Sequence, residues 1–529
     1  MATSSKASVA AALLLCLHGW IALHSLSQKS LTFDETSHLP AGLALVATGE
    51  IHINRQHPPL VKQLAGLAAL TADPVLPLDG AAYRQAEEWE FGRQVLFHPE
   101  NDRRALLHRG RLPIVGFSIL AGLVVFLWTR RRSGDAGALF ALTLWTFSPS
   151  MLAHARWVTM DMAVTATGLL CLFLFWRLCD AAPAGPVPLP RALGFGIALG
   201  FALGAKFSGL VLIPAMILAD LLCRRPHELK TWLLYRARLW LTASIAAWLV
   251  LWTLYLFPAD PFVYFRDVAQ IYASLKPDYL FYLAGTFQSE GFPHYFLATY
   301  ALKSTPVELL STLAVLAVAA SRVWRRDPAL KPDLFLIVPA GAWFTATTLM
   351  ASSQGHRYIL MLYPLVFILA GTLVPTSLGR LPGRTALALW LALGLGQALE
   401  TALHHPDYIP YFNRLAGGPT AGPLWLDDSN VDWSQDAGRL GPWLAAKGID
   451  SVRLGLQRNA APHLPGIRHE PLHLTDWRDG PEPGAYVISG HVLARGLEMK
   501  QLHGYQSDWL HRYEPVDVLG GSLYLYIFE

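Results

Sequence analysis

The sequence predicts an all-α polytopic membrane protein with a small α/β domain at its C-terminal end, outside the membrane. Of its 529 residues, 53% are hydrophobic and only 15% charged, where soluble proteins carry about 25% charged residues. Mean hydropathy is +0.33. Apolar runs recur as far as residue 403, after which the chain turns polar and rich in Gly and Pro.

Taken in order, Val9 to Ser27 follows Lys6 and lacks a small-residue cleavage site, so it reads as a retained first transmembrane helix. A long mixed loop, 28–109, includes AEEWEFGRQ (Ala86–Gln94), which reads as a surface helix at the membrane interface. Apolar segments follow at Gly110–Trp128, Gly137–Ser150, Val158–Leu178, Ala192–Ala205, Phe207–Leu222 and Trp240–Phe257. After a second outer loop, 258–303, come Val307–Val323, Leu334–Met350, Tyr358–Val374 and Ala386–Leu403. A full span needs about 20 residues, so the shorter two, Gly137–Ser150 and Ala192–Ala205, are the weakest members of a set of eleven, give or take one. Residues 1–403 therefore form the membrane domain and 404–529 the outer one, with strand-like runs at Ser451–Leu456, Ala485–Ser489 and Leu523–Phe528 and a helical pattern over Asp436–Lys447.

Basic residues orient the helices. With a cytoplasmic N-terminus, Arg130–Arg132, Arg224–Arg238, Arg322–Lys331 and Gly379–Arg384 all become inner loops, as short Lys/Arg-rich loops prefer. The same count gathers Asp34, Glu35, His57, Lys62, His154, Arg156, Lys206, Lys303, His356 and Arg357 on the outer face of a plasma (inner) membrane. The four cysteines fall in or beside apolar segments, without a disulfide or metal pattern. No nucleic-acid motif is present; the basic loops suit membrane lipids.

The stretch Leu31–Lys62 concentrates carboxylates, imidazoles and an ammonium beside a spanning segment, which is costly unless they line a wet cavity. The plainer alternative is that Asp34 or Thr32 caps a helix while Lys62 is solvated. An acidic loop, Asp427, Asp428, Asn430, Asp432 and Asp436, reads first as a turn-rich surface loop and second as an acceptor-facing lip. Its spacing does not fit a calcium loop. Trp425 and Trp433 suit either sugar stacking or a membrane interface.

The sequence also resembles a known family, through FDETSHLPAGLALVATGEIHINRQHPPLVK (Phe33–Lys62), HARWVTMDMAV (His154–Val164), GAKFSGL (Gly204–Leu210), LKSTP (Leu302–Pro306), GHRYILMLYP (Gly355–Pro364) and YFNRLAGGPTAGPLWLDDSNVDWSQD (Tyr411–Asp436). It resembles the membrane glycosyltransferases of the GT-C architecture, related to protein O-mannosyltransferases and aminoarabinose transferases, which use polyprenyl-phosphate-linked sugars. Gln56 stands where bacterial relatives often have Glu, which weighs against a metal site built on that acid. Ser434 stands where they often have Gly.

The resemblance implies transfer of one sugar, with inversion, from a polyprenyl phosphate to an acceptor hydroxyl of a protein, lipid or glycan. A lipid phosphate leaves without a general acid but needs cations, whereas the acceptor hydroxyl needs a carboxylate base. Asp34 is the candidate base, with Glu35 orienting the loop or raising the proton affinity of Asp34. Asp161 binds sugar or acceptor or positions the base, unless it is only a helix cap. Lys62, Lys206, Lys303 and Arg357 are the phosphate candidates, unless they snorkel to headgroups. His57 and His356 are phosphate donors, metal ligands or plain interfacial residues. No cofactor is required on this reading; a divalent cation stays open, although no H-E-x-x-H spacing supports one. The competing class is a transporter or flippase for a lipid-linked sugar, which should show midplane charges and helix repeats. A sensing scaffold ranks last.

Overall fold

The computed structural model describes residues 5–181, 186–223, 229–274, 279–378, 382–457 and 464–529. The predicted inner loops at 224–238 and 379–384 lie in part outside the described residues. The chain is mostly helical. Among the described residues, seven helices are long and apolar enough to cross a membrane: Lys6–Ser27, Arg103–Thr146, Met160–Ala181, Leu233–Leu254, Pro306–Trp324, Leu330–Met350 and Gly383–Leu403. Shorter apolar helices are Leu60–Leu70, Leu189–Ala205, Phe207–Leu222 and Leu362–Val374. The molecule reads as a multi-pass membrane protein.

Two predicted segments, Gly110–Trp128 and Gly137–Ser150, lie on two helices within Arg103–Thr146 that meet at a kink at Gly134, φ 80°. Only glycine enters that region without a Cβ penalty, so the chain changes direction there. The second segment ends before Ser150: Ser148 caps a separate short helix, Pro149–His154, by accepting from Met151 N. A reciprocal box starts Pro306–Trp324, where the Thr305 hydroxyl accepts from Glu308 N and the Glu308 carboxylate accepts from Thr305 N.

The first outer loop is not loose. Helix Glu35–Thr48 crosses Leu60–Leu70 where Gly42 faces the Lys62 backbone and Gly66 the Gly42 backbone, and a Cβ on Gly66 would sit 2.3 Å from Gly42 O. The predicted surface helix runs from Glu88 to Leu96 and buries Phe91, Gly92 and Val95, with Gly92 against the Thr36 carbonyl. It is a packed support for Glu35–Thr48, half of it covered.

Within the second outer loop, β1 (Phe281–Leu283) and β2 (Thr286–Gln288) form an antiparallel hairpin. Its turn, Ala284-Gly285, takes positive φ at both residues, as a two-residue hairpin requires. The Tyr282 hydroxyl donates to the Pro423 and Leu424 carbonyls, docking this hairpin on the C-terminal part.

Beyond residue 403, β3 (Ser451–Gly455), β4 (Arg468–Pro471), β5 (Gly484–Ser489), β6 (Asp517–Leu519) and β7 (Leu523–Phe528) make a five-stranded mixed sheet in the order β4-β3-β5-β7-β6. The period of two separates two cores. Val487, Leu523 and Leu525 face Leu440 and Leu444; Tyr486, Ile488, Tyr524 and Tyr526 face Leu493 and Trp509. The three predicted strands are β3, β5 and β7. The expected helix over Asp436–Lys447 is a 3-10 turn followed by Leu440–Ala446.

Candidate active site

Asp34 occupies the position before helix Glu35–Thr48 but makes no capping bond. Its carboxylate instead accepts from the Arg357 guanidinium. The two lie 323 residues apart in sequence. Arg357 belongs to a 3-10 turn, His356–Ile359, and stacks over the Trp433 ring at 4.5 Å and the Tyr358 ring at 5.3 Å. Burial opposes its charge, yet Asp34, Tyr358 and Asp161 raise its proton affinity well above the ordinary arginine value. It is a fixed cation.

A second ion pair stands beside the first. Asp161, in the first turn of Met160–Ala181, accepts from Lys206 Nζ at 2.6 Å. Lys206 is the extended residue between helix Leu189–Ala205 and the 3-10 turn Phe207–Val211. Its ammonium lies 4.6 Å from the centre of the Tyr358 ring. Asp34, Asp161, Lys206, Arg357 and His57 line one cavity of about 230 Å³, closed on one side by apolar residues including Trp343 and Met350. The cavity thus presents two carboxylates, each already paired with a cation, beside an apolar wall.

The imidazoles there are neutral. Burial pushes His57 well below the ordinary histidine value, with His38, Lys206, Lys62 and Arg357 adding repulsion. Burial also lowers His38. The Val158 carbonyl lies 2.8 Å from His38 Nδ1, so that nitrogen carries the proton and Nε2 keeps its lone pair.

Four sequence candidates lie outside the cavity. Glu35 is fully buried and accepts from Arg111 Nε and Nη2 at 2.7 and 2.6 Å, Thr32 N, Thr32 Oγ1 and Val158 N. With its carboxylate so fully used, it fixes the loop and does not line the cavity. Lys62 donates to the Asn54 and His57 carbonyls, pinning the turn before Pro58-Pro59. Lys303 donates to the Ile409 and Asn430 carbonyls at 2.6 Å each, over the Phe412 ring. His356 is buried against the Tyr363 hydroxyl at 2.9 Å. The ammonium groups of Lys62 and Lys303 are held by backbone carbonyls, while His356 Nδ1 is buried without a hydrogen-bond partner among the described residues.

The acidic loop is a buried hub, contrary to the surface-loop reading. Asp427 pairs with His491 and Arg495, both at 2.7 Å. Asn430 receives His356 N and donates to Gln354 O. Asp436 pairs with Lys29 at 2.6 Å and with Arg439 at 2.8 Å. Trp433 serves Arg357, and two backbone bonds, Phe33 N to Trp433 O and Ser30 N to Gln435 O, tie this region to the segment leading into Asp34. Trp425 donates to the Ala416 carbonyl and is partly exposed. Sequence reasoning missed Arg111, although an Arg inside an apolar segment (Gly110–Trp128) signals a buried partner. It also left Tyr358 and the pairing role of Trp433 unassigned. Among the described residues, no three His, Cys, Asp or Glu side chains converge as a metal site.

No protein-family model matches the sequence, and the search of curated proteins finds no match. Solved structures are similar to it in backbone path. ArnT from Cupriavidus metallidurans in the apo state aligns over 98% of both chains, at 15% identity and TM-score 0.48; the undecaprenyl-phosphate-bound form gives 97%, 16% and 0.47. The apo oligosaccharyltransferase of Archaeoglobus fulgidus covers 74% of this chain and 55% of its own, at 12% identity and TM-score 0.47. The S. cerevisiae protein O-mannosyltransferase Pmt1-Pmt2 complex bound to the sugar donor covers 51% and 34%, at 20% and 0.34. All of these are GT-C membrane glycosyltransferases.

Proposed function

We propose that the chain is an inverting glycosyltransferase that moves a single sugar from a polyprenyl phosphate to an acceptor hydroxyl at the outer face of the membrane. The observation that carries this is the pairing, in one cavity, of Asp34 with Arg357 and of Asp161 with Lys206. Arg357 and Lys206 are the cations an incoming phosphate would engage. As Arg357 turns to the phosphate, Asp34 loses its strongest partner and becomes a better base for the acceptor hydroxyl. The displacement forms the bond from acceptor oxygen to the anomeric carbon and breaks the bond to the phosphate oxygen. The phosphate leaves with the electron pair, held by the same two side chains. The acceptor proton goes to the Asp34 carboxylate, and Asp161 orients the sugar or acceptor. The apolar wall with Trp343 and Met350 suits the first isoprene units.

On this reading, donor, acceptor and membrane lipids are the partners, no cofactor is required, and residues 404–529 form an outer domain. The reading rests on the cavity and on the sequence resemblance; the ligand of the second ArnT structure, undecaprenyl phosphate, belongs to the donor class proposed. The test is mass spectrometry of polyprenyl-phosphate lipids from cells lacking this protein, complemented with wild type or Asp34→Asn. A monoglycosylated lipid should accumulate in the null and Asp34→Asn strains and be cleared by wild type. Unchanged lipids in all strains overturn the donor class.

A further inference from the structure

A second cavity, of about 990 Å³, shares no lining residue with the first. It is bounded by the end of the first apolar helix with the following Gln28–Leu31, by the first turns of Arg103–Thr146, and by Ala437–Arg439. We propose that it binds the phosphate of an anionic phospholipid headgroup.

Its cations divide into two kinds. Lys29 and Arg439 are paired with Asp407 and Asp436, and Arg111 with Glu35, so their charge is answered within the fold. Arg103 and Arg104 have no carboxylate partner among the described residues; Arg103 lies over the Phe97 ring at 4.5 Å. Arg109 has only the Thr71 hydroxyl, at 3.0 Å. Among the described residues lining the cavity, the carboxylate is that of Asp102, which caps the same helix by accepting from Ala105 N. The wall therefore carries excess positive charge.

The sequence spends this charge in an unfavourable place. RRALLHRGR opens the helix, and cations in a first turn oppose the helix dipole. Arg104, His108 and Arg111 follow the i, i+4, i+7 spacing of a single face. An external anion would relieve that repulsion, and an arginine fork grips phosphate oxygens bidentately. Phosphate esters share this chemistry whether free or on a lipid. The position favours the lipid, because the cavity opens where two apolar helices end, at the depth of headgroups. Its volume lies at the upper end of the range for small-ligand pockets, about 300–1,000 Å³.

The test does not depend on the transferase reading, because it measures lipid retention. The purified full chain is exchanged into nanodiscs of equal phosphatidylglycerol and phosphatidylcholine, released, and examined by native mass spectrometry. Wild type should retain phosphatidylglycerol preferentially. Arg104→Gln, an exposed residue whose loss leaves no partner stranded, should weaken that preference about fivefold, and Arg103→Gln/Arg104→Gln about 25-fold. Arg93→Gln, outside the cavity, should leave it unchanged. Equal retention by wild type and Arg104→Gln overturns the proposal. Complete displacement of the lipid by millimolar inorganic phosphate would also overturn it, assigning the site to a soluble phosphate.

Discussion

Asp34→Asn and Glu35→Gln, adjacent and chemically identical changes, should separate catalysis from folding. Asp34 lies at the cavity, its side chain makes no helix cap, and among the described residues its carboxylate accepts from Arg357. An asparagine carbonyl can still receive that guanidinium, so stability should change by no more than about 1–2 kcal/mol. Removing a positioned base should lower transfer about 10²–10⁴-fold. Glu35 is buried in a bidentate pair with Arg111 and accepts three further hydrogen bonds. Neutralising it strands the Arg111 charge, and breaking such a pair costs about 3–5 kcal/mol. The assay is initial-rate transfer from a short-chain prenyl-phosphate sugar by purified protein, beside thermal melting of each variant. Near-normal turnover in Asp34→Asn would refute the assignment. A melting loss in Asp34→Asn equal to that of Glu35→Gln would refute the division of labour.

The cavity cations have a different expected signature. Lys206→Ala and Arg357→Ala should each raise the donor KM about 10- to 100-fold, since each deletes a charge-assisted bond; unchanged donor saturation in both removes them from the phosphate site. Lys303→Met should lower the melting temperature without moving the donor KM, because its ammonium holds two carbonyls. Stability should also depend on pH through the buried pair that His491, on helix Gly490–His503, makes with Asp427. Burial opposes charge on His491, but Asp427 raises its pKa to about 9. Its contribution is therefore full below the unfolded value of about 6.5 and lost as pH rises through about 9. Melting curves between pH 6 and 10 should show that loss in wild type and not in His491→Gln.

The apolar segments were legible because a bilayer imposes length and composition on each span, independently of what packs beside it. The break between Gly110–Trp128 and Gly137–Ser150 was legible through Arg130–Arg132, although the residue that makes the kink, Gly134, was not. Asp34, Asp161, Lys206 and Arg357 were legible as costly charges at segment ends. Glu35, Lys62 and Lys303 looked equally costly, but what answers their charge or hydrogen-bonding groups is tertiary: Arg111 is 76 residues from Glu35, and Asn430 is 127 from Lys303. The acidic loop was misread for the same reason, since the cations that bury Asp427 lie 64 and 68 positions on, at His491 and Arg495. Strands β4 and β6 carry RHEP and DVL, too short for a period to register.

The bonds from Phe33 N to Trp433 O and from Ser30 N to Gln435 O bear on biogenesis. Trp433 also supplies the ring beneath Arg357. At synthesis rates of about 5–20 residues per second, roughly 20–80 s separate Asp34 from Trp433. During that interval the carboxylate is already inserted while the wall that fixes its cation has not been made. A ribosome-bound chain consequently holds an unfinished pocket, completed only once Trp433 has been made.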